Sequence, residues 1–214
     1  MGRRWGDVLR GYVRRRMALL VCVVAAFAAG LAAGALAVDR VDPEGRAALA
    51  GEVEALFRSA GSRPASPPAE VLRFALSEYI LKHLALIGAL GLSIAGAPGV
   101  LAVVFLRGFS LGFAAAFLAE AGWLVGAVLA VVALLPQNVL AVPATLAAGV
   151  AALSFAGAAV RALSGWRDVN VFRHLAGFVL ILAASGAALV AAAFVEAYVS
   201  PVLMGTAARW LPMR

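Results

Sequence analysis

The sequence predicts an all-α fold: a polytopic transmembrane helical bundle of about five spans, with at least one broken or kinked helix. Three observations carry this reading. Apolar residues fill 64% of the 214 positions and charged residues 14%, with a mean hydropathy of +0.98; soluble domains run at roughly 45–50% apolar and 25% charged. Five or so apolar runs approach or exceed the ~20 residues that cross a bilayer as helix. They are too long and continuous for barrel strands, and lipid offers the backbone no third way to pair its polar groups.

The first element is a basic N-terminus, residues 1–16, with Arg3, Arg4, Arg10, Arg14, Arg15 and Arg16 offset only by Asp7. A net charge of +7 invites a nucleic-acid reading, but six of the eighteen basic residues stand just before the first apolar run. That placement is a topology signal, so no nucleic-acid partner is expected and residues 1–16 are assigned to the cytoplasm. Residues 17–38 form the first span. A cleavable leader, hinted at by Ala35, Leu36 and Ala37, fits poorly because its apolar core is usually about 7–15 residues. Cys22 is the single cysteine and lies in this run, which excludes an intrachain disulfide.

Residues 39–79 carry the one long polar segment, slightly acidic, and are assigned to the extracytoplasmic side. Leu49, Val53, Leu56 and Phe57 recur at helical spacing, which predicts an amphipathic helix with a partner-facing stripe. The Pro- and Ser-rich stretch 61–68 interrupts it, and Ser66-Pro67 opens a further helix leading into the second span.

Residues 80–199 hold four spans. The division favoured by the turn residues is 80–106, 109–135 and 139–160, with turns at Arg107-Gly108 on the cytoplasmic side and at Pro136-Gln137-Asn138 outside. Segment 161–174 carries Arg161, Arg167 and Arg173 against Asp168, so it too is cytoplasmic, and only an odd number of crossings before it satisfies the charge rule. Turning instead at Gly96-Ala97-Pro98-Gly99 gives the same count if the segment around Pro136 dips into the membrane. The last span, 175–199, delivers an extracytoplasmic tail, 200–214.

Chemistry-bearing motifs are few. Gly30/Gly34, Gly108/Gly112 and Gly122/Gly126 are spaced for close helix approach, and together they point to packing within the chain. Gly108-Phe109-Ser110-Leu111-Gly112 also fits the serine-hydrolase pattern, but His83 and His174 are expected near span ends, away from Ser110, so no base serves it. Glu120 is a possible intramembrane polar site, expected mid-span in the favoured division and beside Trp123 at the outer surface in the other. Glu196 falls near the outer end of the last span. Gln137 and Asn138 beside Pro136 and Pro143 fit an external turn, or a ligand site at a broken helix. No Walker, dinucleotide or metal motif is present, so no catalytic residue, cofactor or metal is assigned and the chain is read as a non-enzyme.

From Leu134 to Ala144, through Pro136-Gln137-Asn138 and Pro143, the chain resembles the stage II sporulation protein M family. Gly108 to Gly112 is similar to that family's Gly-rich kink, and Phe194 to Pro201, with Glu196, to its final-span ending. The sequence departs from wider relatives at Gln137-Asn138, at Ala141 and at Arg107. The resemblance implies a non-enzymatic membrane scaffold of engulfment at the sporulation septum, holding the peptidoglycan hydrolases called stage II sporulation proteins D and P. The alternative carried by the residues themselves is a permease or channel, motivated by the helix breaks with Glu120, Gln137 and Asn138.

Overall fold

In the computed structural model, residues 2–51, 67–93, 96–120, 123–164 and 170–210 are described. Among them every long element is helical, and five helices are long and apolar enough to cross a membrane. The chain is an all-α, multi-pass membrane bundle.

Helix α1 spans Gly2–Ala37 and runs into a 3-10 turn, Val38–Arg40. Residues 43–51, here α2, are helical. The second span is one continuous rod of three pieces: α3, Pro68–Leu76, a π-helical segment, Ser77–Leu84, and α4, Ala85–Leu92. Pro68 opens it, as proline suits a first helical position where the missing N–H is not needed. Helix α5 is Ala97–Ala119, α6 is Trp123–Leu163 and α7 is Val171–Phe194. A second π segment, Val195–Val199, joins α7 to α8, Ser200–Trp210. The Asn170 side chain caps α7 by accepting from the Arg173 amide at 3.0 Å.

Two expected turns do not exist. Arg107-Gly108 lies in the middle of the uninterrupted helix α5, so Arg107 is not at a cytoplasmic turn. The chain reverses instead at Ser93–Gly96, where the Ser93 amide donates to Leu90 O and the Gly96 amide to Ser93 O, both at 3.0 Å. Gly96 suits this reversal because a Cβ there would strike the Leu90 carbonyl, and Pro98 falls in the first turn of α5. Pro136-Gln137-Asn138 is likewise no turn. Both Pro136 and Pro143 sit inside α6. Membrane helices tolerate such prolines because nearby polar side chains re-satisfy freed backbone groups. Near them Asn138 Nδ2 donates to Leu134 O at 2.7 Å and Thr145 Oγ1 to Ala141 O at 2.8 Å, while the carbonyls that lose their partner amide to the two prolines are those of Val132 and Val139.

Helix α6 is the central post. Half of its span window is buried, against 17–29% for the other four, and its buried positions are mostly small: Ala141, Ala144, Ala148, Ala152 and Ala156. Small residues let backbones approach where lipid tails remove any hydrophobic drive between helices. One buried cluster joins Val23, Ile87, Val100, Val104, Ala152 and Phe178. The other joins Ala75, Tyr79, Ala141, Leu189 and Ala193.

The closest seam is between α1 and α5. A Cβ on Gly30 or Gly34 would collide with the carbonyls of Phe105 and Phe109, and a Cβ on Gly108 or Gly112 with those of Phe27 and Leu31. Two of the glycine pairs read from the sequence therefore face each other, each giving the other's backbone room. Gly122 of the third pair lies outside the described residues.

Candidate functional site: a polar cluster between four spans

Three helix irregularities meet at one level of the bundle: the two π segments and Pro136 of α6. A π turn widens the helix, and such turns recur at functional sites. Tyr79 stands in the first π segment and Glu196 in the second, and the Tyr79 hydroxyl donates to Glu196 Oε2 at 2.6 Å. The first residue past the second segment, Ser200, is buried and donates to Gln137 Oε1 at 2.9 Å. On the facing side Arg107 Nη2 of α5 donates to Asn138 Oδ1 at 3.0 Å. The Arg107 guanidinium also lies 5.0 Å from the centroid of the Tyr79 ring, within reach of a cation–π attraction. Spans two to five are thus tied through five side chains and Ser200.

Depth makes this cluster notable. At 1.5 Å per residue Tyr79 sits roughly 16 Å from Pro68 and Arg107 roughly 15 Å from Ala97, well inside the helices of spans two and three. The side chains line an open pocket of about 170 Å3, to which Glu78 and Ser110 also contribute. Glu78 is paired with Lys82 Nζ at 2.6 Å. An apolar trough of about 640 Å3 between α1, α5 and α6 shares Leu111, Leu134 and Asn138 with the cavity.

The sequence-selected residues distribute as follows. Gly108 and Gly112 serve the seam with α1. Gln137, Asn138 and Glu196 enter the cluster, and the helical run that carries Glu196 continues to Thr206. Pro143 lies inside α6, two residues before Thr145. Glu120 is not mid-span: it caps the C-terminus of α5, and its side chain, 37% exposed, accepts from Arg46 Nη1 at 3.0 Å. Arg46 also donates to the carbonyls of Val38 at 2.8 Å and Val41 at 3.2 Å. Leu49 falls in α2; Val53, Leu56 and Phe57 lie outside the described residues. Tyr79, Arg107 and Ser200 are the members that sequence reasoning missed, and of these Tyr79 was the one with a readable signal. Its signal was indirect: an acid such as Glu196 within a span needs a donor from another span.

Ser110 Oγ donates to Leu106 O of its own helix at 3.0 Å, the ordinary bond of a hydroxyl one turn along. His83 Nδ1 is held to Glu78 O at 2.9 Å. Among the described residues no group of three His, Cys, Asp or Glu side chains could hold a metal ion.

The family model described as Stage II sporulation protein M matches residues 21–201, most of the chain. The chain belongs to the stage II sporulation protein M family. No curated protein and no solved structure matches it. The matched stretch runs from α1 through the second π segment to Pro201, so it contains the α1–α5 seam and the whole polar cluster. The chain is therefore a multi-pass membrane protein of a sporulation family.

Proposed function

We propose that this member of the stage II sporulation protein M family is a non-enzymatic scaffold of engulfment, which anchors the peptidoglycan hydrolases known as stage II sporulation proteins D and P at the septal membrane of the mother cell. In this reading the N-terminus and residues 161–174 face the cytoplasm, and residues 39–67 with the end of α8 face the hydrolases. The observation that supports it most is the Arg46 clamp. By bonding Val38, Val41 and Glu120 together, Arg46 fixes the segment after the first span against the end of α5. A loop held in this way offers partners a preformed surface, which lowers the ordering cost of docking. Leu49 belongs to this held segment, and the stripe read from the sequence, Leu49, Val53, Leu56 and Phe57, is assigned to the partners in this proposal.

A second reading, a permease or channel, draws on the pocket with Arg107 and Glu196, since charges within membrane spans mark conduction paths by default. The two readings separate in cells carrying variants at matched protein levels, scored for engulfment and for co-purification of the two hydrolases. A scaffold predicts that Val53→Ser with Phe57→Ser loses hydrolase capture and engulfment together, that Pro136→Leu with Asn138→Leu impairs both, and that Ser110→Ala behaves as wild type. Loss of engulfment in Glu196→Gln with capture intact would establish the permease reading, and loss in Ser110→Ala alone would establish an enzyme.

A further inference from the structure

The cavity between the π segments holds two opposite charges that do not meet. Arg107 and Glu196 line the same space of about 170 Å3, and among the described residues no ion pair joins either of them to another group. Arg107 donates to Asn138 and lies against Tyr79, and Glu196 accepts from the Tyr79 hydroxyl, so Tyr79 stands between the two charges. A guanidinium carries five N–H donors and a carboxylate about four acceptor positions, so both retain most of their capacity. Charge at this depth is costly unless it is satisfied. The remaining acid on the cavity, Glu78, is already matched by Lys82.

Charge balance selects the kind of molecule that fits. A lone anion at Arg107 would be repelled by Glu196, and a lone cation at Glu196 by Arg107. A molecule carrying both charges satisfies both walls, with the amides of Gln137 and Asn138 and the Ser110 hydroxyl alongside. Size narrows it further, since the space falls well below the roughly 300–1,000 Å3 of pockets for drug-sized ligands. The π segments beside the pocket are the kind of helix irregularity that recurs at functional sites. We propose that this cavity is a binding site for a small zwitterion of short-chain α-amino-acid size, its carboxylate on Arg107 and its ammonium on Glu196. Tyr79 positions the Glu196 carboxylate through its hydroxyl and carries the Arg107 cation on its ring face.

The test is thermal unfolding of the full chain in lipid nanodiscs, titrated with glycine, with acetate and with methylammonium at matched ionic strength. Glycine is expected to raise the midpoint by several degrees and to saturate, whereas acetate and methylammonium leave it unchanged. Arg107→Gln and Glu196→Gln should each abolish the glycine response, and Thr206→Ala, on the exposed face of α8, should keep it. A wild-type response to glycine no larger than that to either single-charge probe overturns the proposal, and that comparison needs no variant to fold. A glycine response that survives in both charge variants overturns it equally. Hydrolase capture is measured separately, so this site and the scaffold reading stand or fall independently.

Discussion

The Tyr79 hydroxyl and the Glu196 carboxylate, 117 positions apart in the chain, meet at 2.6 Å where two π segments face each other. Hydrogen bonds between spans average about 0.6 kcal/mol in double-mutant cycles and reach about 1.7. A charged acceptor belongs at the upper end. The cycle of Tyr79→Phe, Glu196→Gln and the double variant should therefore give a coupling of ~1–2 kcal/mol, read from reversible unfolding in mixed micelles. A coupling near zero would mean that the two side chains act separately.

The seam between α1 and α5 makes a sharper prediction because it rests on backbone, which cannot swing aside. Gly30→Ala and Gly112→Ala both drive a Cβ into a carbonyl of the opposite helix and should cost about 1–3 kcal/mol, the usual range for overpacking. Gly157→Ala is the control. Nothing lies within 4 Å of a Cβ at that position, so removing a helical glycine there should stabilise by roughly 0.5–1 kcal/mol. Equal effects at Gly30 and Gly157 would contradict the interlock.

Breaking the clamp should change order more than stability. The Arg46–Glu120 pair is about a third exposed on both sides, and ion pairs of that kind contribute ~0–1 kcal/mol. Arg46→Gln should lower the unfolding midpoint little, yet speed limited proteolysis between residues 39 and 67, because bonds to Val38 and Val41 are lost with it. Glu120→Gln, which spares those two bonds, should have the smaller effect on cleavage.

Orientation follows from where arginine is concentrated, as cytoplasmic loops hold the excess. With Cys22 replaced, single cysteines at Ser59 and Thr206 should react with an impermeant thiol reagent on intact cells, and cysteines at Ser93 and Ser164 should react only after lysis. Labelling of Ser93 or Ser164 on intact cells would reverse the assignment.

Hydropathy alone made the number of spans legible, since five apolar runs leave the backbone few alternatives. The places where they divide were less so. Arg107 looked like the end of a span because a lone arginine in an apolar run normally is, but its partners, Asn138 and Tyr79, stand on other helices. No local pattern announces them. Pro136 misled for a related reason: a helix breaker in water is only a kink where neighbouring side chains can take up the freed backbone groups. Glu120 moved from mid-span to a helix end once the turn at Ser93–Gly96 set the bounds of α5. The paired glycines were the most informative local signal, because their spacing is itself the geometry of close approach.

The second π segment also sets a phase. One residue more per turn than an α-helix shifts the face of everything beyond it by about 100°. Residues of α8 therefore point where a straight extension of α7 would not send them, Ser200 with its bond to Gln137 among them. Periodicity traced through the last span as one α-helix loses count at Val195–Val199. Deleting a single residue there would shorten the apolar run by only one position and leave the chain helical, while turning α8 to present a different side to the rest of the bundle.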